Sequence, residues 1–312
     1  MSAMRLWWAT AVGLLALAGG STSGQVSTPS GRPAFRGSVD VVPLTVTVTD
    51  GARRHVTDLE AHDFQILEDG RPQEIAFFQK SSVPLVVGLL LDTSASMDRR
   101  LPVAQKAASG FVRALGANDV AMAIDFDNRV RVRQSLTADT GALSGAIAQM
   151  KVGGSTALYN AVYVALKELN KQHGHQESDR RRKVIVLLSD GEDTSSIVTF
   201  DEVLELATRS DTAIYCIGLL GGGAFDGQRP QDQKFALRQL AERTGGRAFF
   251  PQDMDAFSGI YAEIKTELSN QYSLAYESNN PRRDGQFRRI SIRVSRNGAS
   301  ARTRSGYYAA SQ

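Results

Sequence analysis

A single cysteine, Cys216, is all the thiol chemistry the 312-residue chain has. No disulfide can close within it, so the fold must stand on packing and hydrogen bonds alone. Cys216 lies inside the apolar run Ala213-Ile214-Tyr215-Cys216-Ile217, the setting of a small buried hydrophobe and not of a nucleophile, which needs an activating base nearby. Histidine is almost as scarce. His55, His62, His173 and His175 fall in loop-like sequence and form no His-based metal motif, and no phosphate-cradling P-loop is present. Neither sign of charge is in surplus: 36 Lys and Arg stand against 33 Asp and Glu, a formal net charge of +3, which gives nucleic acid little to hold. The one dense basic run, Arg180-Arg181-Arg182-Lys183, precedes a strand and reads as a solvated loop.

Long apolar runs are also lacking, apart from one near the start. Arg5 supplies a positive charge, residues 6–18 are apolar and residues 19–24 are small, the pattern of a secretory signal peptide over residues 1–24. The apolar stretch is short of the ~20 residues a membrane helix needs, and no cysteine follows it for lipid attachment. The expectation is an exported protein, secreted or periplasmic, with no transmembrane segment in its mature form. Apolar residues at 42% and charged residues at 22% are ordinary for a globular chain with one large core and room for a smaller one.

Residues 25–37 are rich in Ser, Thr, Gly and Pro and read as a flexible lead-in. Over residues 38–82 the pattern is β. Leu44, Val46 and Val48 alternate with threonines, and two strands, at 64–68 and 74–79, flank Asp69-Gly70-Arg71-Pro72 as a hairpin. From 83 to 270, continuous apolar runs at 86–91, 120–126, 184–188 and 214–219 alternate with amphipathic stretches at 101–115, 143–150, 157–169, 200–210, 235–243 and 256–269. Residues 129–136 alternate like an edge strand, and a short strand is expected at 247–250. Apolar runs of this kind mark strands covered on both faces. Their alternation with helices predicts an α/β fold, a doubly wound and mostly parallel sheet of Rossmann-like type. Residues 221–234 read as a polar, Gly-rich insertion loop. Residues 271–309 return to β, with strands at 272–276, 286–294 and 302–308. Neither flank has strands enough for a stable sandwich, so the two are expected to pair into one small sandwich-like β domain with the α/β part inserted between them.

Open α/β sheets place their sites at the carboxyl ends of strands, where strand order reverses. Two buried strands here end in polar clusters, Asp92-Thr93-Ser94-Ala95-Ser96 and Ser189-Asp190-Gly191-Glu192-Asp193, and between them Gly153-Gly154-Ser155-Thr156 opens a helix. Carboxylates and hydroxyls are hard oxygen donors, suited to Mg²⁺ or Mn²⁺ and not to soft metals. Each of these residues alone would serve equally well as a helix cap or turn former. Glu192 and Asp193 read as solvated or as the start of the next turn.

Taken together, Asp92-x-Ser94-x-Ser96, the Gly-Gly-Ser-Thr loop and the later Ser-Asp-Gly resemble the metal-ion-dependent adhesion site of von Willebrand factor A domains. The resemblance covers residues 84–270, and the β flanks resemble those of a secreted bacterial subfamily. It implies a divalent cation, Mg²⁺ or else Mn²⁺ or Ca²⁺, bound directly by Ser94, Ser96 and Thr156 and mainly through water by Asp92 and Asp190. It implies further that a partner protein supplies an Asp or Glu carboxylate to the cation, so that the chain is an adhesion-type binding module and not an enzyme. Three other readings remain at this stage. Asp92-Thr93-Ser94 resembles an aspartic-protease loop, but no second copy occurs to share the proton. Asp125-Phe126-Asp127 resembles a dehalogenase-like phosphatase motif, but it is not on the first strand of the sheet, and Arg129 stands where a Thr or Val is expected. Asp125 and Asp127 read instead as turn formers. A structural scaffold with a vestigial metal site is the third.

Overall fold

The computed structural model describes residues 41–80, 83–171, 181–219 and 230–311. The expected signal peptide, the lead-in at 25–37 and most of the 221–234 insertion lie outside these residues. The first β segment comprises β1 (Val41–Thr49), β2 (Phe64–Glu68), β3 (Arg71–Gln73) and β4 (Ile75–Lys80). The α/β part follows as β5 (Leu85–Asp92), α1 (Leu101–Arg113), β6 (Val120–Phe126), β7 (Val130–Thr137), α2 (Thr140–Ala148) and α3 (Leu158–Asn170). It continues through β8 (Arg182–Ser189), α4 (Phe200–Arg209), β9 (Thr212–Gly218), α5 (Pro230–Arg243), β10 (Ala248–Phe249) and α6 (Ala256–Ser269). The chain returns to β with β11 (Tyr272–Glu277), β12 (Phe287–Val294), β13 (Ser300–Arg302) and β14 (Gly306–Tyr308).

The central sheet has the order β10-β9-β8-β5-β6-β7. All its pairs are parallel except β6 with the edge strand β7. Every residue of β5 is buried, because helices cover both faces and leave no solvent side for polar residues. Leu85, Val87, Leu89 and Leu91 pack into one core with α1, α2 and α6. Val86 and Leu90 point the other way, into a second core with α3, α4 and α5. The helices are amphipathic to match. In α1 the buried residues Leu101, Ala104, Ala108, Phe111 and Val112 recur at helical spacing. At the start of α4, Thr199 accepts from the Glu202 N–H at 3.3 Å while Glu202 accepts from the Thr199 N–H at 2.7 Å, closing a capping box. Cys216 sits fully buried in the second core, where burial pushes its thiol pKa up.

The flanks build two antiparallel sheets, β13-β1-β11-β4 and β14-β12-β2-β3, each drawing strands from both ends of the chain. Val42, Leu44, Val46 and Val48 from one sheet and Phe64, Ile66 and Ile290 from the other share one apolar core. Four details differ from the sequence expectation. Asp69-Gly70 is a tight two-residue turn, but its partner strand is the short β3; β4 leaves for the other sheet and pairs with β11. Both turn residues have positive φ, 47° and 81°, as a type I′ hairpin requires. The expected strand at 302–308 is two strands, because Ser305 breaks away to donate to the Arg243 carbonyl at the end of α5, at 3.1 Å. Residues 230–234 of the expected insertion already belong to α5. Arg182 and Lys183 are not in a loop. They open β8, opposite Leu85 and Thr212, with Arg182 half-buried and Lys183 buried. Among the described residues no helix is long and apolar enough to cross a membrane.

Candidate metal centre

Because β6 lies on one side of β5 and β8 on the other, the carboxyl ends of β5 and β8 flank the point where strand order reverses, and the two polar clusters of the sequence meet there. Asp92 is the last residue of β5 and Ser189 the last of β8. Fully buried Asp92 accepts the Ser94 N–H on Oδ1 at 2.8 Å and the Ser189 hydroxyl on Oδ2 at 2.6 Å. Ser94 Oγ and Ser96 Oγ lie 3.0 Å apart, and Ser96 Oγ donates to Asp190 Oδ2 at 2.5 Å. Gly191, at φ 83°, turns the chain so that its N–H reaches Ser189 Oγ at 3.1 Å. Asp190 Oδ1 then accepts the Glu192 N–H at 3.1 Å. Four of the five expected site residues thus form one hydrogen-bonded cluster, in which Ser94 and Ser96 connect the two carboxylates.

Thr156 joins through the backbone. Gly153 N–H donates to the Thr93 carbonyl at 2.8 Å, and Ala95 N–H donates to the Gly154 carbonyl at 3.1 Å, stitching the first loop to the second. The Thr156 carbonyl accepts from the N–H groups of Thr194 and Ser195 at 2.9 and 3.0 Å, which stitches the second loop to the third. Thr156 N–H in turn donates to Thr194 Oγ1 at 3.0 Å. Its own hydroxyl makes no hydrogen bond among the described residues, although the residue is buried. The glycines are needed here for close approach. A Cβ on Gly153 would lie 2.5 Å from Asp127 Oδ2, and one on Gly154 would lie 2.9 Å from Asn128 Oδ1.

Burial, and then the negative charge of Asp190, push the Asp92 carboxyl up to about 6, against the lowering effect of its hydrogen bonds from Ser189 and Ser94. Two facing carboxylates with hydroxyls between them make a site short of positive charge. A small, hard divalent cation would supply that charge, and the donor set present, two carboxylates and three hydroxyls, fits one. Among the described residues no three His, Cys, Asp or Glu side chains converge as a metal cluster; here the remaining donors are hydroxyls.

Sequence reasoning missed several supports. Ser189 bridges Asp92 and the Gly191 N–H, and nothing in its sequence position distinguishes it from a turn former. Asp193, half-buried, does more than start a turn. It accepts the Tyr159 N–H at 3.2 Å, at the start of α3, and the Ser196 hydroxyl at 2.6 Å. Asp125 is not a turn former either. It is wholly buried on β6 and ion-paired with Arg131 and Arg133 of β7 at 2.9 and 2.8 Å. Asp127 does form a turn, accepting the Arg129 N–H at 2.8 Å, and also pairs with Arg131 at 2.9 Å. Both carboxylates of the dehalogenase-like pattern are therefore held by arginines.

An open parallel sheet with a carboxylate and hydroxyl cluster at its switch point defines a class of ligand-binding α/β domain. Within that class, a family model for the von Willebrand factor type A domain matches residues 87–263, and the chain belongs to this family, whose domains usually mediate protein–protein interaction and in part carry such a metal site. Comparison with curated proteins gives no match. Among solved structures, a von Willebrand factor type A protein from Catenulispora acidiphila is 14% identical, with a TM-score of 0.52, covering 89% of this chain and 76% of its own. An aerotolerance-related membrane protein from Bacteroides fragilis is 17% identical, with a TM-score of 0.47, covering 59% of this chain and 98% of its own. Proximal thread matrix protein 1 from the mussel byssus, whose metal-ion-dependent adhesion site holds zinc, is 16% identical with a TM-score of 0.49, covering 65% of this chain and 50% of its own.

Proposed function

We propose that the chain is an exported protein-recognition module that binds its partner through a divalent cation held by Asp92, Ser94, Ser96, Thr156 and Asp190. The observation that carries this reading is the pair of carboxylates joined through Ser94 and Ser96 at the switch point of the sheet, with the unengaged Thr156 hydroxyl in the loop stitched to both sides. When bound, the cation supplies a Lewis-acidic position for an acidic side chain of the partner. Ser94, Ser96 and Thr156 are assigned as direct ligands, and Asp92 and Asp190 as carboxylates acting mainly through water. Neutral direct ligands leave most of the cation's charge for the partner's Asp or Glu. The resident metal is assigned as Mg²⁺, with Mn²⁺ or Ca²⁺ as substitutes.

The two carboxylates are bridged by serines and do not bond to one another, so the geometry favours holding a cation over sharing a proton as paired catalytic acids do. Titration calorimetry with Mg²⁺ on the wild type, Asp92→Ala and Thr156→Ala tests the assignment. Loss of binding in both variants supports it, and equal binding by all three proteins would sink it. Pull-down from culture supernatant in Mg²⁺ and then in EDTA tests recognition: partners retained equally in both are not held by the metal.

A further inference from the structure

The amino end of the central sheet, opposite the metal centre, carries a cleft whose charge does not balance. It is lined by Arg182 and Lys183 of β8, by Asp211 just before β9, by Gln271 between α6 and β11, and by Thr303 and Arg304 between β13 and β14. Two guanidinium groups, those of Arg182 and Arg304, stand against one carboxylate there, while the Lys183 head turns to the other face of β8, toward α3. Asp211 is already taken, 2.9 Å from Arg304 Nη1. Arg182 finds only neutral acceptors, the Gln271 side-chain oxygen and the carbonyls of Leu268 and Val83. Lys183 Nζ donates to Asn170 Oδ1 at 2.8 Å, again a neutral group. Among the described residues neither Arg182 nor Lys183 forms an ion pair, although Lys183 is only 8% exposed. The neighbouring Arg302 does not alter the balance, since it is paired with Glu267.

Hydrogen-bond donors are left over at the same place. Among the described residues, buried Arg182 Nε, Arg304 Nε and Thr303 Oγ1 find no partner. Buried donors in native proteins are almost always satisfied, and buried cations almost always paired. Burial also moves the Arg182 guanidinium down, against the opposing pull of Tyr215 and Asp119. The cleft has about 20 Å³ of internal room, against roughly 10–15 Å³ for one water, so its occupant must be small.

We propose that this cleft binds a small inorganic oxyanion of the phosphate or sulfate class, held between Arg182 and the Thr303-Arg304 segment. Arg182 touches both chain crossings between the α/β part and the β sheets, through Val83 and through Leu268 and Gln271. An anion here therefore braces that junction.

The test uses the full chain in EDTA at pH 7 and constant ionic strength, which removes the metal centre as a phosphate site. The thermal midpoint should rise saturably as phosphate replaces chloride, and the ³¹P line of free phosphate should broaden on binding. Arg182→Met should weaken phosphate binding at least about tenfold, and the near-isosteric Thr303→Val about ten- to a hundredfold, as losing bonds to a charged ligand implies. Thr303→Val keeps the test alive if Arg182→Met fails to fold. Asp92→Ala should respond to phosphate like the wild type, so failure of the metal assignment leaves this outcome untouched. No saturable shift and no broadening, or wild-type affinity in Thr303→Val, or saturation by chloride alone, would each overturn the proposal.

Discussion

Removing one hydroxyl at the junction of β5 and β8 tests how the proposed metal centre is held. Ser189 Oγ donates to Asp92 Oδ2 at 2.6 Å and accepts the Gly191 N–H at 3.1 Å, and Ser189 is fully buried. In Ser189→Ala, a bond to a charged acceptor worth about 1.5–3 kcal/mol is lost, and the Gly191 N–H is stranded at a cost of about 1–3 kcal/mol. The two losses overlap where the loop relaxes, so a net destabilisation of about 3 kcal/mol is expected. For a domain of this size each kcal/mol moves the thermal midpoint by roughly 2–4 °C, giving a fall of about 6–12 °C in EDTA, read by calorimetry. The stabilisation by Mg²⁺ should also shrink, because Asp92 loses one of the two bonds that aim its carboxylate. A variant within about 0.5 kcal/mol of wild type, the range of a neutral surface change, would refute the claim that Ser189 organises the site.

Three further outcomes follow from the same geometry. Gly153→Ala places a Cβ 2.5 Å from Asp127 Oδ2, a carboxylate pinned by Arg131, so the Thr156 loop must shift. Mg²⁺ affinity should drop about 10- to 100-fold with the circular dichroism spectrum kept, and unchanged affinity would remove Thr156 from the ligand set. Glu267 is buried against Tyr215 and Thr47 and paired with Arg302. Glu267→Gln should therefore cost about 3–5 kcal/mol by stranding a cation, and a urea-unfolding loss below 1 kcal/mol would contradict that. Lys183 is lowered by burial from 10.5 to about 8 in the folded state. Between those values the unfolded chain keeps a proton that the folded chain has released, so the stability of wild type relative to Lys183→Met should rise as pH climbs from about 8 to 10.5. A difference that stays flat across that range would show that the ammonium is not desolvated.

How much of this was legible beforehand depended on whether the signal was local. β6 and α6 were expected over residues 120–126 and 256–269 and lie there, because a strand covered on both faces and a helix with one apolar stripe write their periods into consecutive residues. The Asp-x-Ser-x-Ser, Gly-Gly-Ser-Thr and Ser-Asp-Gly segments were visible for the same reason. What escaped was set by distant partners. Asp69-Gly70 announces a turn, but that β4 abandons the hairpin for β11 depends on residues almost two hundred positions later. Arg182 and Lys183 look like loop residues until Gln271 and Asn170 are placed beside them. Arg131 and Arg133 alternate as though facing solvent, yet the β6–β7 register sets Arg131 opposite Asp125. Ser189 carries no mark at all. Its importance arises only from the Asp92 carboxylate across the sheet.

The interleaving of strands in the two β sheets also dictates a timetable for synthesis. β1, β2 and β4 leave the ribosome with their main partners, β11 and β12, still unmade. The roughly 190 residues between Lys80 and Tyr272 take about 10–40 s to translate at ~5–20 residues per second. Meanwhile the intervening α/β segment can complete its mostly parallel sheet, while Val42, Leu44, Val46, Phe64 and Ile66 wait with apolar faces uncovered. That interval is the window in which the nascent chain is most exposed to aggregation through unpaired strand edges, and in which a holding chaperone would bind to greatest effect.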